Sequence, residues 1–392
     1  MGSRADMRIA LFTDSFLPQI NGVVTATLTL AKGLADRGHR VYIIAPKYKG
    51  VKEFRYPNVV VERMVSVPAL FYPEFKFTNF VSPIILNFLR REKIDIVHFQ
   101  TPSTVGAQGI ISAKVLNIPL VGTFHTFITD AEYLKHAGID LKIVESLAWN
   151  YSKFYYNRCD LITCPTESAK KELRENGMTN HIKVISNGID KNIFDNSKSQ
   201  MIKRKYNPRG PLLLFVGRIA YEKNLPYLLE CFRMALSRIP SAKLLMVGDG
   251  PQMAEIKEEV KNLGLSNNVI ITGLINHSTL VKSGIFGACD LFITASTTET
   301  QGITLLEAQA NGIVSVAVNA KGVRDVIKNN YNGFLVREGN KHEFADKIVK
   351  LLTDRKTYSK MRNNTLKEIK KHDIPDIMDI WEKEYTRIIK NA

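Results

Sequence analysis

Cysteine is scarce in this chain: Cys159, Cys164, Cys231 and Cys289 are the only four in 392 residues. No CxxC pair joins them, which argues against a zinc site and a secreted disulfide framework and points to a reducing compartment. Long apolar runs are also missing, and no stretch reaches the roughly 18 residues that span a bilayer. Residues 1–6 read as an extension ahead of a start at Met7, with no signal-peptide pattern after it, so a soluble intracellular chain is expected. Repeats and low-complexity segments are absent, which excludes solenoid and disordered classes. Acidic residues are in deficit, 38 against 54 basic, giving a net charge of +16. Residues 1–205 hold 28 basic and 18 acidic residues (+10) and residues 206–392 hold 26 and 20 (+6), so the surplus is spread over both halves. Such a surplus implies a polyanionic partner: nucleic acid, an anionic membrane surface or a phosphorylated ligand. What remains, 45% hydrophobic residues with 24 Gly and 15 Pro, is ordinary globular composition, long enough for two or three domains.

Short apolar runs alternate with amphipathic stretches, the pattern of βαβ units around a parallel sheet. Strands are expected at 7–12 (MRIALF), 40–45, 95–99, 119–123 and 160–164, with a helix over 23–37 closed by Gly38. The rhythm restarts at 211–216 (PLLLFV) and continues at 242–247, 269–272, 290–294 and 313–317, with helices at 224–237, 253–263 and 308–311. Residues 186–210, polar and basic, read as an interdomain linker. The fold class is α/β: two Rossmann-like domains, 7–200 and 206–372, with ligands at the carboxyl ends of their strands. A last helix over 373–392 is expected to pack back onto the first domain.

Four motifs carry chemistry. STTETQGITLLE (296–307) follows an expected strand and opens a helix near Gly302, with Glu299 in the loop and Glu307 on the second helical turn. A helix N-terminus suits a phosphate, and a carboxylate beside it suits the hydroxyls of a ribose or sugar. VGRIAYEKN (216–224) sends Arg218 and Lys223 from a strand end, where two cations can hold a diphosphate leaving group. Taken alone they read as solvated surface cations; beside the glutamate motif the ligand reading is preferred. Gly22 in QINGVVT permits close backbone approach to a phosphate, although a turn needs glycine anyway. His98 and His125 both end strands of the first domain; a lone histidine is more often structural, so neither earns a role from position alone.

Taken together, QINGVV, GTFHT, ISNGID, VGRIAYEKN, VGDGP and ETQGITLLE resemble retaining glycosyltransferase family 4, with its GT-B fold of two facing Rossmann-like domains. The resemblance runs from Met7 through nearly the whole chain. It implies that Arg218 and Lys223 hold the donor diphosphate, Glu307 the nucleotide ribose and Glu299 the hydroxyls of the transferred sugar. Gly22 lets the first-domain loop approach the phosphates, and His125 lies near the sugar or the acceptor. Gly248 belongs to the donor site, Gly273 and Leu274 contact the base, and the backbone amides of Gly302, Ile303 and Thr304 bind phosphate or sugar. His125, Glu299, Arg218 and Lys223 form the implied catalytic set. The chain contains no Asp-x-Asp, so no metal and no other cofactor are expected; cationic side chains and a helix N-terminus take the clamp's place. Asn21–Gly22 stands where the family often has paired glycines, and Lys321, Gly322 and Asp325 replace its usual Gly-Gly and Glu. ETQG replaces the commoner EPFG or EGFG and resembles the diacylglycerol glucosyltransferase branch, which implies a lipid acceptor; UDP-glucose is the first donor expected, and a GDP-mannose-dependent lipid mannosyltransferase, a UDP-galactose donor and a soluble or polysaccharide acceptor stay open.

Two aromatic-basic stretches fit a lipid surface. Phe71, Tyr72, Phe75, Phe77 and Phe80 surround Lys76 and lead through apolar 84–89 to Arg90, Arg91 and Lys93. From Trp149 to Arg158, aromatics again mix with Lys153 and Arg158. Rings at the headgroup boundary with cations on anionic lipid give reversible peripheral attachment, here expected at the inner face of the cell membrane. Packing into the core is the competing reading for both stretches. A nucleic-acid partner is not expected, because no binding motif accompanies the charge. An epimerase of the same fold would leave the aromatic-basic segments unexplained.

Overall fold

The computed structural model describes residues 6–48, 50–68, 76–126 and 141–391. These divide into two compact units, 6–126 with 141–188 and 374–391, and 189–373. The first contains β1 (Arg8–Phe12), β2 (Arg40–Pro46), β3 (Val59–Met64), an antiparallel pair β4 (Ser66–Pro68) and β5 (Lys76–Thr78), then β6 (Ile96–Phe99), β7 (Leu120–Thr123), β8 (Leu161–Cys164) and β9 (Ile182–Val184). Seven of these strands form one parallel sheet in the order β3-β2-β1-β6-β7-β8-β9. The second unit holds β10 (Leu212–Val216), β11 (Lys243–Val247), β12 (Val269–Ile271), β13 (Leu291–Thr294), β14 (Val314–Val318) and β15 (Gly333–Val336), all parallel in the order β12-β11-β10-β13-β14-β15. Each unit is therefore Rossmann-like. Helices cover both faces of such a sheet, which is why its strands read as apolar runs and not as alternations.

The sequence pattern omits β3, β9 and β15 of the two parallel sheets, and the β4–β5 pair. β3 and β9 are edge strands that each bury a single residue, and β15 (GFLV) is an apolar run of only four residues. Residues 186–210 are not a simple linker. The units part at Gly188 and Ile189, ahead of the expected boundary at 200, and a helix at Ser199–Tyr206 buries Ile202 and pairs Lys203 with Asp290 in the second unit. Its composition is polar because only one face is covered.

The helix Ile374–Asn391 belongs to the first unit. Its buried Ile377, Met378, Trp381, Tyr385 and Ile388 lie at helical spacing and join the cluster formed by Ile9, Leu11 and Leu34. A Cβ on Gly33 would lie 2.6 Å from the Met378 sulfur, so glycine allows this helix to approach the one at Gly22–Ala35. The Met7 backbone N–H donates to His39 Nδ1 at 3.1 Å, and His39 Nε2 lies 2.9 Å from Glu382 Oε1. Arg37 donates to Glu382 at 2.7 Å and to Asp379 at 2.6 Å. His98 does not reach a ligand-binding edge. It is fully buried between the Tyr385 hydroxyl (2.7 Å) and the Thr123 hydroxyl (2.6 Å), and burial holds its pKa well below the usual imidazole value.

Trp381 packs against His98 and Tyr385 with ring centroids 5.1 and 5.3 Å away. Trp381→Ala is expected to cost about 3–5 kcal/mol, the range for a large aromatic deleted from a core. Urea unfolding with an unchanged midpoint would place the helix outside the first unit's core.

Candidate active site

In the second unit, β10 lies between β11 and β13, so the chain leaves β10 and β13 in diverging directions at one carboxyl edge. The loop after β10 carries Arg218 and Lys223, and the loop after β13 carries Glu299. Lys223 Nζ donates to Glu299 Oε1 at 2.5 Å, joining residues 76 apart in sequence. Both side chains are largely buried, 18% and 21% exposed. Burial alone would lower the Lys223 pKa; the Glu299 charge and hydrogen bond override it, and the net shift is upward despite opposition from the Arg218 charge. Lys223 is thus held as a cation near a second cation.

Glycines let these loops pack together. A Cβ on Gly248 would lie 1.8 Å from the Gly217 carbonyl oxygen, and one on Gly250 would lie 2.4 Å from that of Ile219. Gly248 therefore serves first to seat the VGDGP turn on the loop that carries Arg218. A Cβ on Gly322 would fall 1.9 Å from the Thr300 carbonyl oxygen, and the Gly322 N–H donates to the Glu299 carbonyl at 3.0 Å. The KGVRD segment is thus a wall of the ETQG loop, a role that needs this one glycine. Ser296 Oγ donates to the Glu222 carbonyl at 3.0 Å, tying the loops after β13 and β10.

Gly302 adopts φ +81° and caps the helix Ile303–Ala310. Only the left-handed backbone that glycine tolerates turns the chain from loop to helix here, and the first-turn amides of Ile303 and Thr304 have no carbonyl to pair with inside the helix. Glu307 is 2% exposed, and its Oε1 lies 2.5 Å from His277 Nε2. His277 opens a short helix, His277–Leu280, soon after Gly273 (φ +75°) and the exposed Leu274. The Gly273 carbonyl accepts from the Gly248 N–H at 3.1 Å. The expected phosphate, sugar, ribose and base residues thus share the carboxyl edge of one sheet. His277 carries no motif of its own; only the fold brings it to Glu307.

The first unit holds the remaining candidates. His125 follows β7, and its Nε2 lies 2.8 Å from Oε1 of the buried Gln100 at the end of β6. Burial pushes its pKa down to about 4, so it is neutral at physiological pH. Gly22 is the exposed first residue of its helix, where the Asn21 side chain accepts from the Val24 N–H at 3.0 Å. Asp14, absent from the sequence motifs, lies after β1 and is fully buried. It accepts from the hydroxyls of Thr101 (2.8 Å) and Thr104 (3.0 Å) and from the Val105 N–H (2.9 Å). Burial outweighs these bonds and raises its pKa.

The two aromatic-basic stretches divide between core and surface. Phe71, Tyr72 and Phe75 lie outside the described residues. The apolar 84–89 run is not a free face: the helix Pro83–Arg91 buries Ile85, Phe88 and Leu89. The exposed apolar residues here are Phe80 (58%) and Val81 (50%), ahead of that helix, and Ile84 (73%) on it, with Val67 and Phe77 paired across β4 and β5. On the helix Leu141–Tyr156, the core takes Trp149, Tyr155 and Tyr156, with Trp149 stacked on Phe124 at 6.2 Å. Leu147, Tyr151 and Phe154 remain exposed at i, i+4 and i+7, and Arg158 lies 3.9 Å over the Phe154 ring. No helix among the described residues is long and apolar enough to cross a membrane.

Comparison with known proteins agrees with this geometry. Residues 20–192 match the family model Glycosyltransferase Family 4, and residues 196–368 match Glycosyl transferases group 1. The chain is 32% identical to the alpha-monoglucosyldiacylglycerol synthase of Streptococcus pneumoniae over 353 residues, 88% of this chain and 78% of that protein. It is 28% identical to a GDP-mannose-dependent alpha-mannosyltransferase of Corynebacterium glutamicum, over 91% of this chain and 83% of the relative. The solved structure of Anabaena Alr3699/HepE in complex with UDP-glucose superposes with a TM-score of 0.76 at 19% identity, covering 98% of this chain and 100% of that one. Two Rossmann-like units, a cation–carboxylate site on the second and these matches place the chain in glycosyltransferase family 4, as a hexosyltransferase of GT-B fold.

Proposed function

We propose that this enzyme transfers glucose from UDP-glucose to a membrane lipid such as diacylglycerol, with retention of anomeric configuration and without a metal. The observation that carries the donor half is the Lys223–Glu299 pair beside the Ile303–Ala310 helix N-terminus, with Glu307 on that helix. Arg218 and Lys223 neutralise the diphosphate as its bond to the sugar C1 breaks, and the first-turn amides add partial positive charge. Glu299 takes the sugar hydroxyls and Glu307 the ribose. The acceptor hydroxyl attacks C1 on the face the diphosphate leaves, and its proton passes to the departing phosphate oxygen. The products are a glycolipid and the nucleoside diphosphate. His125, neutral, offers hydrogen bonds to sugar or acceptor and carries no charge into the transition state.

The lipid acceptor is supported by the name of the Streptococcus relative and by the two exposed apolar sets, Phe77–Phe80–Ile84 and Leu147–Tyr151–Phe154, each accompanied by cations. Peripheral attachment to the cytoplasmic face of the cell membrane follows, each nearby Lys or Arg contributing about 1 kcal/mol on anionic lipid. A GDP-mannose-dependent lipid mannosyltransferase is the second reading, favoured by the Corynebacterium relative. A UDP-galactose donor, or a soluble or polysaccharide acceptor, uses the same site.

The deciding assay mixes purified enzyme with UDP-glucose, UDP-galactose or GDP-mannose and vesicles with or without diacylglycerol and anionic lipid. A glucolipid formed from UDP-glucose is the expected product; a mannolipid from GDP-mannose would replace the first reading by the second, and donor hydrolysis alone would remove the lipid acceptor. Lys223→Ala is expected to lower kcat about 100- to 1,000-fold, the effect of losing one transition-state contact; an unchanged kcat would take the diphosphate away from this residue. The double variant Ile84→Asp with Leu147→Asp is expected to sediment less with anionic vesicles while donor hydrolysis persists. Equal sedimentation would move the membrane surface elsewhere.

A further inference from the structure

Glu307 presents a physical problem. Its carboxylate is 2% exposed, yet among the described residues it receives a single hydrogen bond, from His277 Nε2 to Oε1 at 2.5 Å. A carboxylate only accepts, so the imidazole is the donor. One donor leaves a buried carboxylate under-satisfied, because its two oxygens offer about four acceptor positions and dehydration is costly. Oε2 is left to accept from a ligand. His277, by contrast, is partly exposed, its side chain at 36%, and it follows the Gly273–Ile275 segment at the end of β12.

We propose that His277 is the positioning residue of the nucleotide site: by binding Oε1 it fixes the rotamer of Glu307 so that Oε2 faces the ribose hydroxyls. The assignment rests on the ribose role of Glu307. It also makes the short helix at His277 a mechanical link. The segment that meets the base and the carboxylate that meets the ribose are joined by one hydrogen bond, so a base that displaces the segment misplaces the carboxylate as well. Nucleotide preference then depends on a residue that need not touch the nucleotide.

The test is calorimetric titration of the whole protein with UDP and GDP and with their 2′,3′-dideoxy forms, which lack the hydroxyls in question. Wild-type protein is expected to prefer the ribose form, and Glu307→Ala to abolish that preference. His277→Ala is expected to reduce it about fivefold or more, in line with the loss of a hydrogen bond to a charged group. His277→Gln, which keeps a donor of similar reach, is expected to restore it. His277→Leu, which fills the space without a donor, serves if the alanine variant fails to fold. A merely structural His277 would lower the melting temperature and leave the ribose preference intact. If Glu307→Ala abolishes the preference while His277→Ala and His277→Leu keep it, the positioning role is overturned and the ribose role stands. Retention of the preference in Glu307→Ala, or no binding of either nucleotide, overturns both.

Discussion

In each unit one carboxylate bridges the place where the chain leaves two central strands in opposite directions. Asp14 does so after β1 and β6, and Glu299 after β10 and β13. The topological position is the same and the partners are opposite in kind. Asp14 is closed off by hydroxyls and backbone amides, so it holds the Thr104–Leu116 helix against the first strand. Glu299 has a mobile-stemmed ammonium as its partner, and an ammonium can be shared with another anion. One switch point is locked by uncharged donors; the other is held by a charge pair.

Everything else in the second unit serves to bring its loops to that pair. Six parallel strands end at one edge, and the loops after β10, β11, β12, β13 and β14 approach to backbone distance around Arg218, Lys223, Glu299 and Glu307. Gly248, Gly250 and Gly322 are the residues at which a side chain would collide with a neighbouring carbonyl oxygen. The glycines of VGDGP and KGVRD therefore act one layer behind the chemistry. Losing one of them would separate the loops before it altered any charged group.

Most of this was legible in the sequence where a residue type had one physical use. Strands buried on both faces appear as apolar runs, and ETQGITLLE announces a loop, a glycine turn and a helix in order. Edge strands β3 and β9 were not legible because only part of each is covered and their alternation is broken. The apolar run 84–89 divides between two fates that its composition does not separate: Ile85, Phe88 and Leu89 turn inward while Ile84 stays exposed. His277 and Asp14 could not be found at all, since each acquires its meaning from a partner 30 or 91 residues away. His98 and His125, equivalent in sequence, parted for the same reason, one against Tyr385 and the other against Gln100.

The helix Ile374–Asn391 has a consequence for how the protein is made. A ribosome delivers residues in order, so the second unit, 189–373, is complete before this helix exists. Until then Arg37, His39 and His98 lack the partners that this helix supplies, Glu382 for the first two and Tyr385 for the third, and the face formed by Ile9, Leu11 and Leu34 lacks the helix that packs on it. The first unit to be synthesised is the last to be finished. During translation that apolar face stays open until Trp381 and Tyr385 arrive to close it.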